Sequence, residues 1–309
     1  MEYRFHYFIR RILSFIEGFR TNKWFHFGPH ITMSYASSVQ DEYIKDADIV
    51  LVTWWSTAAE VGLLSPEKGK KINLIQGFEN WIGHEDLLFK SYNMPNTTNV
   101  VVASYLKDIV DQHTENETIV ISNAIDDKQF YLSNPIESRK QTSICMQYST
   151  QEIKGSRYGI EALKQVKNSF PELTVDLFGV CPEPEDLPDW MTYYRAPKNL
   201  NELYNRNAIF LSNSLTEGFG LVSVEALSCG CALICTDIAG HREYAFDENT
   251  ALLVKPEDSK EMAEKICFLI ENDRDRINLA TRGNKYVKNF SWDESVKKMD
   301  NLIKRLLND

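Results

Sequence analysis

Two glutamates lie on either side of a short glycine-containing loop, and residues of these types at this spacing could bind a ligand. Glu217 and Glu225 have seven residues between them, and the loop 218–220 directly follows the first. The apolar run 208–211 is typical of a buried strand, and 221–228 is typical of a helix. A strand, a loop and a helix N-terminus offer backbone N–H groups at one point, which favours a phosphate or diphosphate. Because carboxylates repel phosphate, we expect both glutamates to bind neutral hydroxyls, those of a ribose and of a hexose.

The spacing of Glu217 and Glu225 resembles the Glu-x7-Glu signature of retaining glycosyltransferases of family 4, which have the GT-B fold. The resemblance covers residues 117–309 well, is weaker over 47–116 and is absent before that. Further segments resemble family motifs in the family's order: Asn123–Asp126 with Phe130, Lys154–Gly155, Gly240–Glu243, Thr250–Pro256 and Phe290–Trp292.

The resemblance implies an α/β protein of the GT-B fold, with two Rossmann-like domains facing each other. The N-terminal domain is expected to be shortened, because no unit of strand, glycine-rich loop and helix precedes Ile49. The C-terminal domain would bind a nucleotide-diphosphate sugar as the donor substrate, and the N-terminal domain would bind the acceptor. No other cofactor and no metal is expected, since helix N-termini and cations hold the diphosphate in this family.

The resemblance also implies roles for single residues on the donor side. Glu217 would bind donor-sugar hydroxyls, Glu225 the ribose, and Lys154 the diphosphate. A lysine at a helix start opposes the helix dipole, and a bound diphosphate would remove that conflict. Gly179 would lie near the nucleobase and His241 near the donor, although a strand-end glycine and an ordinary loop histidine are open alternatives. The backbone of the loop and first helical turn completes the predicted donor site: Gly218, Phe219, Gly220, Leu221 and Val222.

Two positions depart from the family pattern. The family usually has an arginine five residues before the lysine, where this chain has Ser149, and Arg157 or Arg242 would have to compensate. Many members have a histidine just past the first strand of this domain, where this chain has Thr53.

The acceptor side is predicted from residues at the carboxyl ends of N-terminal strands, where ligands bind in open α/β sheets. Glu79 is the predicted catalytic residue of this side. A capped loop with core aromatics is the favoured alternative for each member of the set taken alone. The other acceptor-side candidates are Trp54, Trp55 and His84.

Composition excludes several classes of protein. The chain has 309 residues and a net charge of −10, which argues against general nucleic-acid binding. No apolar run approaches the roughly 20 residues of a membrane-spanning helix. Six cysteines in a chain of this length indicate a reducing compartment, hence a cytoplasmic protein. The cluster Cys229, Cys231 and Cys235 is not interpreted as a metal site, because the run 231–235 is typical of a buried strand, and the pairs Asp46/Asp48 and Asp273/Asp275 are not interpreted as metal ligands.

Strand and helix patterns alternate along the chain, which favours parallel α/β sheets. We predict an N-terminal aromatic and basic segment over 1–46 and a shortened acceptor-side domain over 47–133. The donor-binding domain is predicted over 134–290. A final helix over 291–309 is expected to cross back to the N-terminal domain.

The first residues carry an apolar helical face and a local net charge of +3 over 1–23, from five Arg/Lys and two Glu. One hypothesis is an interfacial helix that makes weak peripheral contact with the inner face of the membrane. The favoured alternative is a helix docked on the shortened sheet. A naturally shortened or artificially truncated chain is a third explanation for the absence of a strand, glycine-rich loop and helix before Ile49.

The predicted activity is transfer of a sugar, with retention, from a nucleotide-diphosphate sugar to a hydroxyl of a glycan or lipid-linked acceptor. Two other classes stay open: a non-catalytic nucleotide-sugar-binding or scaffold protein, and a nucleotide-sugar epimerase on the same architecture. Transfer or donor hydrolysis would separate the enzyme from the first, and product formation without an acceptor would identify the second.

Overall fold

The computed structural model describes residues 28–32, 34, 36, 38–80 and 83–308. Within them the chain forms two parallel sheets, one of four strands in the order β1-β2-β3-β4 and one of six in the order β10-β9-β8-β5-β6-β7. The predicted amphipathic segment at the N-terminus lies outside the described residues. Among the described helices, none is long and apolar enough to span a bilayer.

The smaller sheet is built from the first half of the chain, and all its strand pairs are parallel. β1 and β2 are edge and inner strands, and β3 is buried along its whole length. Its strands are β1 (Ile49–Val52), β2 (Lys70–Ile75), β3 (Thr97–Val101) and β4 (Thr118–Val120). The helices that connect them are α1 (Trp55–Val61), α2 (Glu85–Tyr92) and α3 (Ser104–Asp111).

The larger sheet is built from residues 143–254, and its central strands are continuous apolar runs. Such runs are expected where helices cover both faces of a parallel sheet. Its strands are β5 (Ser143–Gln147), β6 (Thr174–Gly179), β7 (Met191–Arg195), β8 (Ile209–Ser212), β9 (Ala232–Thr236) and β10 (Ala251–Val254). Its helices are α4 (Ser156–Ser169), α5 (Leu200–Arg206), α6 (Leu221–Ser228), α7 (Ser259–Glu271) and α8 (Asp273–Val287).

The last helix, α9 (Trp292–Asn308), returns to the smaller sheet. Its Leu302 is buried in a cluster with Ile72 and Val100 of β2 and β3. Ser295 Oγ also donates a hydrogen bond of 2.8 Å to the Ser122 carbonyl. The chain passes between the two sheets once after β4 and once before α9. These two segments contact each other, because the Ile125 N–H donates a hydrogen bond to the Phe290 carbonyl at 2.9 Å. α9 therefore ties the end of the chain to the sheet formed by its first half.

The cysteine cluster lies in the core, as its apolar context predicted. Cys231 and Cys235 flank and enter β9, and together with Cys229 they are fully buried. All six cysteines are free.

Candidate active site

The two sequence candidates Lys154 and Glu217 meet in the structure. Lys154 Nζ lies 2.5 Å from Glu217 Oε1, although 63 residues separate them in the chain. Ser214 Oγ donates a second hydrogen bond to the same oxygen at 2.7 Å. The side chains are 25% and 12% exposed, so the pair is shielded from bulk water yet reachable from the surface.

The pair forms because β5 and β8 are parallel neighbours in the larger sheet, so the loops at their carboxyl ends come together. Lys154 ends the short 3-10 helix that follows β5, and Glu217 lies in the loop after β8. Asn213 Nδ2 joins the loops by donating to the Lys154 carbonyl at 2.7 Å. The next residue, Gly155, has φ +58°, and a Cβ there would collide with the Asn213 carbonyl oxygen.

The glycine loop approaches its neighbours too closely for larger residues. Gly220 is the N-cap of α6 and has φ +86°, a backbone conformation that glycine adopts without strain. A Cβ at Gly220 would stand 2.5 Å from Tyr244 Oη and 3.0 Å from His241 Cδ2. Since glycine has no side chain to cap α6, the first N–H groups of the helix, at Leu221 and Val222, are left for an anionic ligand.

Phe219 contributes differently from the glycines beside it. Its side chain is only 3% exposed and packs edge-on against Phe290, with ring centroids 5.3 Å apart. Any donor contact at Phe219 is therefore made by its backbone, while its ring anchors the loop in the core.

His241 is fully buried under the glycine loop. Its Nδ1 lies 2.8 Å from the Thr236 carbonyl oxygen, so Nδ1 carries the proton. Nε2 then accepts from Ser212 Oγ at 3.1 Å. Burial lowers the pKa of His241, which keeps the ring neutral. The His241 ring has no exposed surface, so it supports Gly220 of the loop from below.

Glu225 lies inside α6, where burial raises the pKa of its carboxyl group. Tyr204 Oη donates to its Oε2 at 3.0 Å. The second carboxylate oxygen of Glu225, like Oε2 of Glu217, has no hydrogen-bond partner among the described residues. Each glutamate can therefore still accept a hydrogen bond from a ligand hydroxyl.

Gly179 ends β6 at the same edge of the sheet, where a Cβ would collide with the Tyr148 carbonyl. Its neighbour in the fold, Ser149, receives a hydrogen bond from Gln151 N–H at 3.2 Å. Of the two arginines considered as substitutes, Arg242 forms a double hydrogen bond to Asp237 at 2.7 and 2.9 Å. Arg157 lies over the ring of its neighbour Tyr158, 4.6 Å from the centroid.

The acceptor-side candidates form one group beside the smaller sheet. The Trp55 and His84 rings stack with centroids 5.9 Å apart, and Trp54 is half exposed next to them. Burial raises the pKa of Glu79, which lines a cavity of about 10 Å³ with Trp55 and Tyr92, room for about one water. Trp55 Nε1 and Tyr92 Oη have no partner within the described residues.

The two sides of the candidate site contact each other, partly through Tyr105, which the sequence analysis did not single out, and through Glu243, which it gave only as the end of a motif. Tyr105 Oη of α3 donates to the Glu217 carbonyl oxygen at 2.8 Å, and Glu243 binds the start of the same helix. A Cβ on Gly218 would collide with the carbonyl oxygen of Gln76 in the loop after β2. The position of these residues after strand ends was a usable signal. Their partners on the other side of the cleft, the space between the two domains at the carboxyl ends of the strands, were not predictable.

A family model described as glycosyl transferases group 1 matches residues 133–290, a segment that contains the lysine, both glutamates and the glycine loop. The match covers half of the chain. The chain belongs to this family.

Curated glycosyltransferases are similar over part of their length. An uncharacterised glycosyltransferase of Methanocaldococcus jannaschii is 26% identical over 214 residues, which are 67% of this chain and 60% of that protein. The N,N'-diacetylbacillosaminyl-diphospho-undecaprenol alpha-1,3-N-acetylgalactosaminyltransferase of Campylobacter jejuni is 30% identical over 37% of this chain and 31% of its own. The chain thus spans less than two thirds of the length of these relatives.

Solved structures of GT-B glycosyltransferases share the fold. Anabaena HepE in complex with UDP superposes with a TM-score of 0.74 at 16% identity, covering 86% of this chain and 79% of its own. Sucrose-phosphate synthase of Thermosynechococcus elongatus gives 0.70 at 17% identity, covering 84% and 74%. The prediction of an α/β protein of the GT-B fold is confirmed.

One member of each acidic pair that could have suggested a metal forms an ion pair. Asp46 lies 2.7 Å from Lys68 Nζ, and Asp273 lies 2.7 Å from Arg276. Across the part of the chain that the structure describes, no three His, Cys, Asp or Glu side chains are grouped to hold a metal ion.

Proposed function

We propose that this group 1 glycosyltransferase is a retaining enzyme of family 4, with Glu217 and Glu225 as its Glu-x7-Glu pair. It would transfer a hexosyl group from a nucleotide-diphosphate sugar to a hydroxyl of a glycan or lipid-linked acceptor. The observation that carries the proposal is the Lys154–Glu217 ion pair beside the uncapped start of α6. A cation and a helix N-terminus together suit a diphosphate leaving group, and the neighbouring carboxylate suits sugar hydroxyls.

The chemistry assigns each donor-side group a task. The diphosphate would replace Glu217 as the partner of Lys154 Nζ and would accept hydrogen bonds from the N–H groups of Leu221 and Val222. These groups would stabilise the charge that develops on the leaving group. Glu217 would then bind donor-sugar hydroxyls with Oε2 and with the Oε1 that Lys154 releases. Glu225, held by Tyr204, would accept hydrogen bonds from the ribose.

The donor is proposed to be a uridine diphosphate sugar in the first instance. HepE, which shares the fold, has been solved in complex with UDP and with UDP-glucose. Gly179 ends β6 at the same edge of the larger sheet, beside the loop that follows β5, and it would lie near the base by its place in the family pattern.

The acceptor is proposed to bind beside Trp55, Glu79 and His84. Aromatic faces stack on sugar rings, and a partly desolvated carboxyl such as Glu79 is suited to proton exchange with an acceptor hydroxyl. Two relatives support a glycan or lipid-linked acceptor by their names, the Campylobacter jejuni enzyme and the O-antigen chain mannosyltransferase B of Escherichia coli.

Donor binding tests the site directly. Replacing Glu225 or Lys154 by alanine should weaken binding of the cognate nucleotide diphosphate about 10- to 150-fold, since a lost hydrogen bond to a charged group is worth about 1.5–3 kcal/mol. Calorimetry would measure the affinity after a thermal-shift screen of nucleotide sugars has found the ligand. Glu264→Ala and Lys260→Ala on α7, an exposed pair 3.9 Å apart, are matched controls. Unchanged affinity in both site variants would refute the assignment.

The enzyme is also proposed to need no metal, because Lys154 and the start of α6 supply the positive charge. Transfer should persist after treatment with EDTA and dialysis. Complete loss of activity that Mg²⁺ or Mn²⁺ restores would place the protein in another class of transferase.

A second candidate is a non-catalytic protein that binds a nucleotide sugar. The serine at position 149 and the threonine at position 53, where the family usually has an arginine and often a histidine, favour it. Donor binding with no donor hydrolysis and no transfer to any glycan or lipid-linked acceptor tested would establish this alternative.

A further inference from the structure

Helix α3 is capped by a residue of the other half of the molecule. Its N-cap residue is Ala103, whose methyl side chain offers no hydrogen-bond acceptor. Glu243, from the domain of the larger sheet, supplies the missing acceptor. Its Oε1 accepts a hydrogen bond from the Ser104 N–H at 2.6 Å, and its Oε2 lies 3.3 Å from Ser104 Oγ. The carboxylate thus meets the positive end of the helix dipole across 139 residues of sequence.

The second residue of α3 reaches the proposed catalytic loop. Tyr105 Oη donates to the Glu217 carbonyl oxygen at 2.8 Å. Burial, with added repulsion from the charges of Glu217 and Glu243, raises the pKa of this phenol, so it remains a donor at neutral pH. Two successive residues of α3 therefore bind two loops of the donor-side domain.

Both loops belong to one connected support. Glu243 ends the 3-10 helix His241–Glu243, and His241 of that turn lies under Gly220. A shift of α3 away from the larger sheet would release Glu243 and the backbone of Glu217 together. The geometry therefore links the separation of the two sides to the placement of the Glu217 carboxylate.

We propose that Glu243 and Tyr105 are positioning residues that hold the cleft closed and set Glu217 for transfer, an inference that rests on the proposed function. When these contacts are made, the acceptor side and the donor side face each other at the distance that transfer needs, and water is excluded from the reacting sugar. When they are broken, the donor can still bind to its own domain, but its sugar meets water instead of the acceptor.

The test compares Glu243→Ala, Glu243→Gln and Tyr105→Phe in the whole chain. Glu243→Ala should lower kcat for transfer about tenfold, the size of effect expected for losing a helix cap, and donor Kd should change less than twofold. Glu243→Gln should recover much of the loss, because its amide oxygen still accepts from the Ser104 N–H. Tyr105→Phe should behave like Glu243→Ala. In both, the ratio of donor hydrolysis to transfer should rise, whereas a general loss of stability would lower both rates together.

Exposed residues of the same types provide the controls. Tyr43→Phe and Glu264→Gln should leave kcat and the hydrolysis ratio as in the wild type. The inference is overturned if the wild type transfers sugar and both Glu243→Ala and Tyr105→Phe keep its kcat and its ratio of hydrolysis to transfer.

Small-angle scattering separates this inference from the proposed function, since it needs no substrate. The radius of gyration of Glu243→Ala and of the double variant should exceed that of the wild type. A wild type that transfers no sugar would refute the proposed function alone. Equal radii of gyration in the wild type and the folded variants would refute only the inference that Glu243 and Tyr105 hold the two sides together.

Discussion

Replacing Glu217 by glutamine should lower kcat for sugar transfer by about two orders of magnitude, the loss typical of removing one preorganised electrostatic contact from an active site. The glutamine keeps the size of the side chain and an oxygen for Ser214, which now bonds to Glu217 Oε1. It loses the negative charge that opposes Lys154 and that would stabilise positive charge developing on the donor sugar. Steady-state kinetics with the cognate nucleotide sugar would measure the change, and the melting temperature would show that the fold is kept.

The same substitution at Glu264, an exposed residue of α7, is the control and should leave kcat unchanged. A Glu217→Gln enzyme with kcat within threefold of the wild type would show that the carboxylate takes no part in the reaction.

Adding one methyl group at Gly218 should also slow transfer, because the new side chain would hold the two sides of the site apart. The new Cβ would collide with the carbonyl oxygen of Gln76, and overpacking of this kind costs about 1–3 kcal/mol. If transfer needs the closed cleft, the rate of transfer should fall by roughly 5- to 150-fold. Rapid-mixing measurements of a single turnover would show whether the chemical step, not product release, is slowed.

Gly77 gives a matched control from the opposite wall of the cleft. A Cβ there would stand 3.9 Å from Gly218 Cα, an ordinary van der Waals contact, so Gly77→Ala should transfer sugar at close to the wild-type rate. Equal behaviour of the Gly218→Ala and Gly77→Ala enzymes would contradict the view that this contact limits closure.

The donor side was predictable from sequence because its elements are local and regular. Helix α6 spans Leu221–Ser228, the bounds predicted from its apolar pattern. Lys154 and Glu217 come together because each follows a strand of the same parallel sheet, a rule that needs no knowledge of side-chain packing. The roles assigned to them, unlike their positions, remain predictions.

Short and polar elements were missed, among them α2, α3, α5 and the edge strand β7. Segments of about eight residues contain too few apolar positions to show a helical period clearly. The start of α1 at Trp55 also lacks a sequence signal, because its extended N-cap, Trp54, has no acidic or hydroxyl side chain that would mark it.

Contacts across the cleft depend on how two domains meet, which local patterns do not encode. Glu243 was noticed only as the end of a motif, and Tyr105 and Tyr204 were not noticed at all. Tyr105 binds the Glu217 backbone, and Tyr204 binds the Glu225 side chain. A tyrosine gives no sequence signal that separates a hydrogen-bonding role from ordinary core packing.

The central claim is that Lys154 and Glu217 transfer a sugar from a nucleotide diphosphate with retention. Proton NMR of the protein mixed with nucleotide sugars and candidate acceptors tests it most directly, because one spectrum reports donor loss, diphosphate release and the anomeric configuration of the product. We expect one donor to give a product with the anomeric configuration of the donor, and we expect its formation to be strongly reduced in Glu217→Gln. A product of inverted configuration, or the same product formed at the same rate by Glu217→Gln, would contradict the account.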